Sequence, residues 1–156
     1  MKCPCGLNKN FETCCSEIIN GNTAATAEQL MRSRYSAYAT NNVQYIFDTY
    51  ESASREEQCL DDIALWAKQC KWIALNVIST STNGNKATVE FSAKYLQKSK
   101  LYQLHENSRF IKTDGNWYYL DGDIISHTEL AKIKANDLCP CNSGKKFKKC
   151  CSTKIN

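Results

Sequence analysis

No apolar run in the 156-residue chain approaches the ~18 residues of a membrane-spanning helix, so insertion into a bilayer is not expected. No apolar segment follows Met1-Lys2-Cys3-Pro4-Cys5, so no secretory signal is expected either, and the cytosol is the expected compartment. Proline is scarce: Pro4 and Pro140 are the only two, and both stand in the same three-residue motif. With 42% hydrophobic and 23% charged residues, the composition is that of a globular domain with one core. What is abundant is cysteine, with ten residues. In a secreted chain they would read as a disulfide framework. In a reducing compartment, clustered cysteines more often bind metal.

Eight of the ten fall in two clusters, Cys3, Cys5, Cys14, Cys15 and Cys139, Cys141, Cys150, Cys151. A shift of 136 residues superposes them: Cys3-Pro4-Cys5 falls on Cys139-Pro140-Cys141, Lys9 on Lys145, Phe11 on Phe147 and Cys14-Cys15 on Cys150-Cys151. Each copy reads C-P-C, eight residues, C-C. The first pair places two thiolates on one tight turn, and the vicinal pair returns two more from the opposite side. Four thiolates suit the tetrahedral preference of zinc and leave no open position, which predicts two structural Zn²⁺ ions. Phe11 and Phe147 are expected to fill the apolar side of each knuckle. Asn8 and Gly144 are expected to supply left-handed turns. Small disulfide knots and iron–sulfur clusters are the competing readings of the same cysteines.

Charge separates the two copies. Residues 132–156 carry seven lysines against one aspartate, residues 1–20 are neutral, and the middle holds 11 basic against 13 acidic residues. Four thiolates around Zn²⁺ leave a net charge of about −2, which Lys145, Lys146, Lys148 and Lys149 offset. The N-terminal copy has only Lys2 and Lys9, so weaker metal binding is expected there. The run Cys139-Pro140-Cys141-Asn142-Ser143-Gly144-Lys145-Lys146-Phe147-Lys148-Lys149-Cys150-Cys151 resembles the SEC-C motif. That motif is named for the zinc tail of the SecA translocation ATPase, a protein-docking element that meets the SecB chaperone. Its fourth ligand there is histidine; Cys15 and Cys151 take that place here. The N-terminal copy departs further, with Leu7-Asn8 in place of Ser-Gly and Glu12-Thr13 in place of lysines.

Between the clusters, helices precede strands. Thr26 with Gln29 has the form of a capping box, and Leu30, Arg34 and Tyr38 line one helical stripe beside Met31 and Tyr35. A short helix is expected over 43–50. A second capping box, Ser54 with Glu57, predicts a helix through about Cys70. Cys59 and Cys70 would then share that helix as buried thiols, some ~16 Å apart and unable to bridge. From residue 71 the period changes. Ala87, Val89, Phe91, Ala93 and Tyr95 alternate with polar residues as a half-buried strand after the turn signal Asn83-Gly84. Strands over 101–113 and 117–121 flank Asp114-Gly115. Helices followed by an antiparallel meander make an α+β domain.

That order resembles the cone-shaped fold of the nuclear-transport-factor/ketosteroid-isomerase superfamily, helices over a curved antiparallel sheet. The runs Thr26–Tyr38, His105-Glu106-Asn107-Ser108-Arg109-Phe110 and Asp114–Gly122 resemble the bacterial YchJ-like family, which places a SEC-C motif at each end of such a domain. The resemblance implies knuckles at 1–20 and 132–156 flanking a middle domain at 21–131.

Alternation puts Tyr102, Leu104, Glu106, Ser108 and Phe110 on the helix-facing side of the long strand and His105 on the other. Glu106 and Ser108 then point inward with Arg34. Two readings stay open there: an internal Glu106–Arg34 pair, or a pocket for a small ligand or a reaction. His105 reads as an exposed or interface residue, and His127 lies near an expected turn. No catalytic set assembles, so the function leans away from an enzyme. The leading expectation is a zinc-binding adaptor whose Lys145, Lys146, Lys148 and Lys149 dock on an acidic protein. The alternatives are the middle-domain pocket, and nucleic-acid or ribosome binding through the same lysines.

Overall fold

The Thr26 hydroxyl accepts from the Gln29 N–H at 3.1 Å, and the Gln29 side chain accepts from the Ala25 N–H at 2.8 Å. The expected cap therefore forms, with its return bond one residue further back. A computed structural model of the chain describes residues 1–155. Its helices are α1 (Cys15–Ile19), α2 (Ala27–Ala39), α3 (Val43–Asp48), α4 (Ser52–Glu56) and α5 (Leu60–Gln69). On α2, Leu30, Met31, Arg34 and Tyr35 are buried and Tyr38 is half-buried, as its stripe predicts.

The second cap is not where the sequence suggests. The Glu51 carboxylate accepts from the N–H groups of Ala53 at 3.0 Å and Ser54 at 3.2 Å, and so opens the short α4 before Ser54 is reached. The Ser54 hydroxyl donates instead to the Leu120 carbonyl at 2.8 Å, tying α4 to the sheet. The chain breaks before α5. Cys59 is therefore an exposed N-cap, Cys70 is the buried first residue of a strand, and the two share no helix.

Four strands form one antiparallel meander in the order β1 (Cys70–Asn83), β2 (Lys86–Gln97), β3 (Lys100–Thr113), β4 (Asn116–Lys132). Two of the three hairpin turns are the predicted ones, with Gly84 at φ 60° and both Asp114 (50°) and Gly115 (82°) at positive φ; the third, between Gln97 and Lys100, carries no glycine and places Lys98 at φ 55°. β4 runs far past the expected Asp121. Beyond that residue its side chains are mostly exposed, so no apolar alternation marks it. His127 lies inside this strand rather than near a turn, and its Nε2 is 2.5 Å from the Tyr95 hydroxyl.

One sheet face carries Ala87, Val89 and Phe110 and packs on Ala27, Leu30 and Met31 of α2. Burying each large apolar side chain of this set is worth about 1.5–3 kcal/mol. Register shifts at Trp72/Ala74 and Val77/Ser79 on β1, and at three points between β3 and β4, bend the strands. The first shift has a second effect. It turns Trp72 inward with Leu75 and Val77, and leaves Ile73 on the outer face beside Leu96 and Leu101. The result is helices over a curved antiparallel sheet, with a four-cysteine knuckle at each end of the chain. Among the described residues, no helix is long and apolar enough to cross a membrane.

Candidate functional site

The sequence repeat survives in the backbone. The Cys3 N–H donates to the Lys9 carbonyl at 2.8 Å, and Cys139 to Lys145 at 2.9 Å. Phe11 donates to Met1 at 2.9 Å, and Phe147 to Asp137 at 2.8 Å. Each loop enters the left-handed region twice, at Gly6 (86°) and Asn8 (58°) in one copy and at Asn142 (61°) and Gly144 (77°) in the other. Glycine and asparagine exchange places, because both tolerate that conformation.

These loops bring the thiols together. Within each set, Cys3, Cys5, Cys14, Cys15 and Cys139, Cys141, Cys150, Cys151, the four sulfurs lie within 4.8 Å of one another. Cys5 and Cys14 are 3.7 Å apart, Cys141 and Cys150 3.5 Å. A tetrahedral ion with arms of ~2.3 Å needs sulfurs about 3.8 Å apart. A disulfide needs about 2.05 Å, and all ten cysteines are free thiols. The donor sets therefore fit a closed, four-thiolate metal ion.

Crowding divides the acidity of the thiols. A hydrogen bond from Cys15 is the main reason Cys5 is held down to about 5. Burial, then Cys3 and Cys5, push Cys14 up to about 11, and the bond to Cys5 together with burial pushes Cys15 well above its usual range. In the second set burial acts against Cys141, but Ser143, Cys139 and Cys150 outweigh it and hold it at about 6. Four thiolates this close repel one another and need a cation between them. Outer hydroxyls stand ready to donate: Ser36 Oγ lies 3.5 Å from Cys3 Sγ, and Ser143 Oγ 3.2 Å from Cys150 Sγ.

Each knuckle is anchored to a different layer. The N-terminal one sits on α2, where Arg32 Nη1 donates to the Cys5 carbonyl at 2.6 Å and its Nε to Glu28 at 3.3 Å. Arg32 is a cation for this site that a count of nearby lysines misses, because it arrives from 27 residues away. The C-terminal knuckle lies on the outer sheet face. There Phe147 (4% exposed), Cys139, Cys150 and Cys151 cover Leu96, with Ile73 and Leu101 alongside. Lys145, Lys146, Lys148 and Lys149 all point to solvent. Phe11 and Phe147 pack against the cysteines of their own copies, as expected.

Inside the middle domain, Arg34, Glu106 and Ser108 line one cavity of about 190 Å³, together with Tyr35, Tyr50, Trp72 and Tyr119 among others. Of the two readings left open for Glu106, the direct pair with Arg34 is not made. Glu106 Oε1 accepts instead from Ser108 at 2.9 Å and from the Tyr119 hydroxyl at 2.9 Å. Arg34 Nη1 donates to the Ile46 carbonyl at 2.7 Å and to Thr49 Oγ1 at 2.5 Å. Its guanidinium lies 4.5 Å from the Tyr50 ring centre and 4.7 Å from that of Tyr119. Burial, then the Glu106 carboxylate, push the Tyr119 phenol above its usual range, so it stays a donor. His105 lies on the outer face, 3.8 Å from Glu90. Thr49, Tyr50 and Trp72 carry no periodic signal that would have assigned them to this site.

Gly122 lies opposite Ser108, and a Cβ there would overlap the Glu106 carboxylate. Gly122→Ala is therefore expected to push Glu106 off its two hydroxyl donors and cost about 1–3 kcal/mol, the scale of buried polar groups losing their partners. Urea denaturation checks this, and an unchanged midpoint would count against the geometry.

Residues 26–122 match the family described as "YchJ, middle NTF2-like domain", and residues 136–152 match the SEC-C motif. A UPF0225 protein of Photorhabdus laumondii is 46% identical over 154 residues, covering 96% of this chain and 97% of that one. One of Geobacter sulfurreducens is 41% identical over 155 residues, covering 96% of each. Among solved structures, a SEC-C motif containing protein from Rhodopseudomonas palustris is 34% identical, with a TM-score of 0.75 over 81% of this chain and 100% of that one. Another from Psychrobacter arcticus is 30% identical, with a TM-score of 0.71 over 99% and 97%. The chain belongs to the YchJ-like UPF0225 family, and in it a nuclear-transport-factor-like domain stands beside a SEC-C motif.

Proposed function

We propose that the chain is a zinc-stabilised adaptor in the cytoplasm, with one Zn²⁺ in each knuckle, and that the C-terminal knuckle docks on an acidic protein surface. One observation carries the reading. Lys145, Lys146, Lys148 and Lys149 are exposed on a loop whose other side, through Phe147, is fixed to the sheet. Among the described residues none of the four ammonium groups has a carboxylate partner within ion-pair distance, whereas Arg109 on the sheet is held by Asp121 and Asp123. The charges are thus displayed on a preorganised frame and left for another molecule, which lowers the ordering cost of binding. The docking role implied by the likeness to SEC-C tails points the same way.

Fluorescence anisotropy with a labelled polyglutamate peptide tests this. With zinc held in excess so that both knuckles stay loaded, replacing the four lysines with serine is expected to weaken binding by at least about tenfold. Capture from lysate with the two forms then identifies the partner that depends on the lysines. A single-stranded RNA that binds more tightly than the peptide, with a steep salt dependence, would transfer the lysines to nucleic acid. Equal binding by both forms of the protein would sink the reading.

A further inference from the structure

Three polar edges in the middle-domain cavity, one each on Arg34, Glu106 and Trp72, have no hydrogen-bond partner among the described residues. Arg34 is only 6% exposed, and its two hydrogen bonds both leave from Nη1. The edge formed by Nε and Nη2 has no acceptor among the described residues. Glu106 spends Oε1 on Ser108 and Tyr119, and Oε2 has no donor among the described residues. The Trp72 indole Nε1–H is buried without an acceptor. All three side chains line the same cavity. Of the three, only the Trp72 nitrogen is shut off from solvent; the free edges of Arg34 and Glu106 keep accessible surface and can meet a ligand in the cavity. A guanidinium and a carboxylate in one cavity would be expected to pair directly unless something stands between them. Here the Tyr50 and Tyr119 rings and the Ile46 carbonyl hold the guanidinium in place, with its free edge fixed in orientation.

We propose that this cavity binds a small aromatic monocarboxylic acid that also carries a hydroxyl or amino group. Its carboxylate takes the forked edge of Arg34, which matches two oxygens at once, and the Trp72 ring forms part of the wall beside it. Its hydroxyl or amine donates to Glu106 Oε2. Its ring lies among Tyr35, Trp66 and Phe91, which make the walls apolar and flat. Charge selects the class. Arg34 already repels a cation, and Glu106 disfavours a dianion such as a phosphate. A monoanion bearing a donor satisfies both residues. Size agrees: a cavity of about 150 Å³ holds benzene, so about 190 Å³ suits a single substituted ring. The site is independent of the knuckles and of the partner they are proposed to dock.

The test is a titration of the metal-loaded, ¹⁵N-labelled full chain with 4-hydroxybenzoate and 4-aminobenzoate, beside the methyl ester of the first. At least one acid is expected to shift the Trp72 indole N–H resonance saturably, while the ester, which lacks the charge, binds at least about tenfold more weakly. Arg34→Lys, which keeps the charge and loses the fork, is expected to weaken binding by about tenfold. Trp72→Phe, followed from the ligand's own resonances, is expected to weaken it several-fold. Replacing the four knuckle lysines should change none of this, so failure here is separable from failure of the adaptor reading. The proposal is overturned if neither acid gives a saturable shift up to about 10 mM, or if the ester binds as tightly as its acid. It is also overturned if Trp72→Phe, together with any Arg34→Lys protein that folds, binds like the wild type.

Discussion

Cys150→Ser is expected to lower the bound metal from two ions to one and to destabilise the protein by about 3–5 kcal/mol, the scale of uncovering a buried aromatic. The knuckle has little core of its own. Its buried residues are three of its cysteines and Phe147, and the other buried residue of that cluster, Leu96, belongs to the sheet. Structural zinc supplies such small elements with about 10–16 kcal/mol of apparent binding energy, most of it consumed in ordering the loop. A missing thiolate weakens the ion, frees the loop between Cys139 and Cys151, and exposes Leu96, which is fully buried when the knuckle is in place. For a chain of this size, 1 kcal/mol moves Tm by about 2–4 °C, so a fall of about 10 °C is expected. Elemental analysis of the purified protein, with thermal unfolding followed by circular dichroism, reads both effects. Cys14→Ser should likewise remove one ion, because each set of thiols is complete in itself. Loss of both ions from a single substitution, or of neither, would contradict two independent four-thiolate sites. Iron with visible absorption in place of zinc would transfer the same cysteines to a cluster.

The knuckles were legible in the sequence because their determinants are local. Cys-x-Cys, the returning vicinal pair and the Asn8 and Gly144 turns are each set within a dozen residues, and the 136-residue repeat checks one copy against the other. The inward face of β3 was legible for a similar reason, since alternation places Glu106 and Ser108 together whatever lies opposite. Partners were not legible. Glu106 was matched to Arg34 by charge, but the nearer donors are hydroxyls, and Tyr119 reaches it only through the β3–β4 register shifts. Ser54 looked like a cap because Ser-x-x-Glu is a cap pattern; the Glu51 carboxylate, three residues upstream, accepts from the Ala53 and Ser54 amides, so the helix has already begun at Ser54. The outer end of β4 carries no signal because it is exposed, and the inward turn of Trp72 depends on a bulge that periodicity skips. Arg32, the cation beside the N-terminal knuckle, belongs to another element altogether.

Arg34→Met is expected to destabilise the middle domain by about 2–4 kcal/mol, with Arg34→Lys in between at about 1–2 kcal/mol. Methionine retains most of the stem volume, so a cavity accounts for little of the difference. What is lost is electrostatic. Arg34 is the single basic residue lining the cavity that also holds Glu106, and its removal leaves that carboxylate without a nearby positive charge. The contacts with Tyr50 and Tyr119 go with it, each worth about 0.5–2 kcal/mol in a desolvated setting. So does the bond to the Ile46 carbonyl, which the single Thr49 hydroxyl proton, 2.7 Å from the Tyr45 carbonyl and 3.2 Å from that of Ile46, only partly replaces. Lysine restores the charge, but one ammonium cannot stack on two rings while reaching both Ile46 and Thr49. Urea denaturation of the metal-loaded proteins ranks the three. Because α2 carries Arg34 inward and Arg32 toward the N-terminal knuckle, metal content is the control: it should stay at two ions in both variants. Equal stability of methionine and lysine at this position would show that packing of the stem, and not the guanidinium, holds α2 against α3 and the sheet.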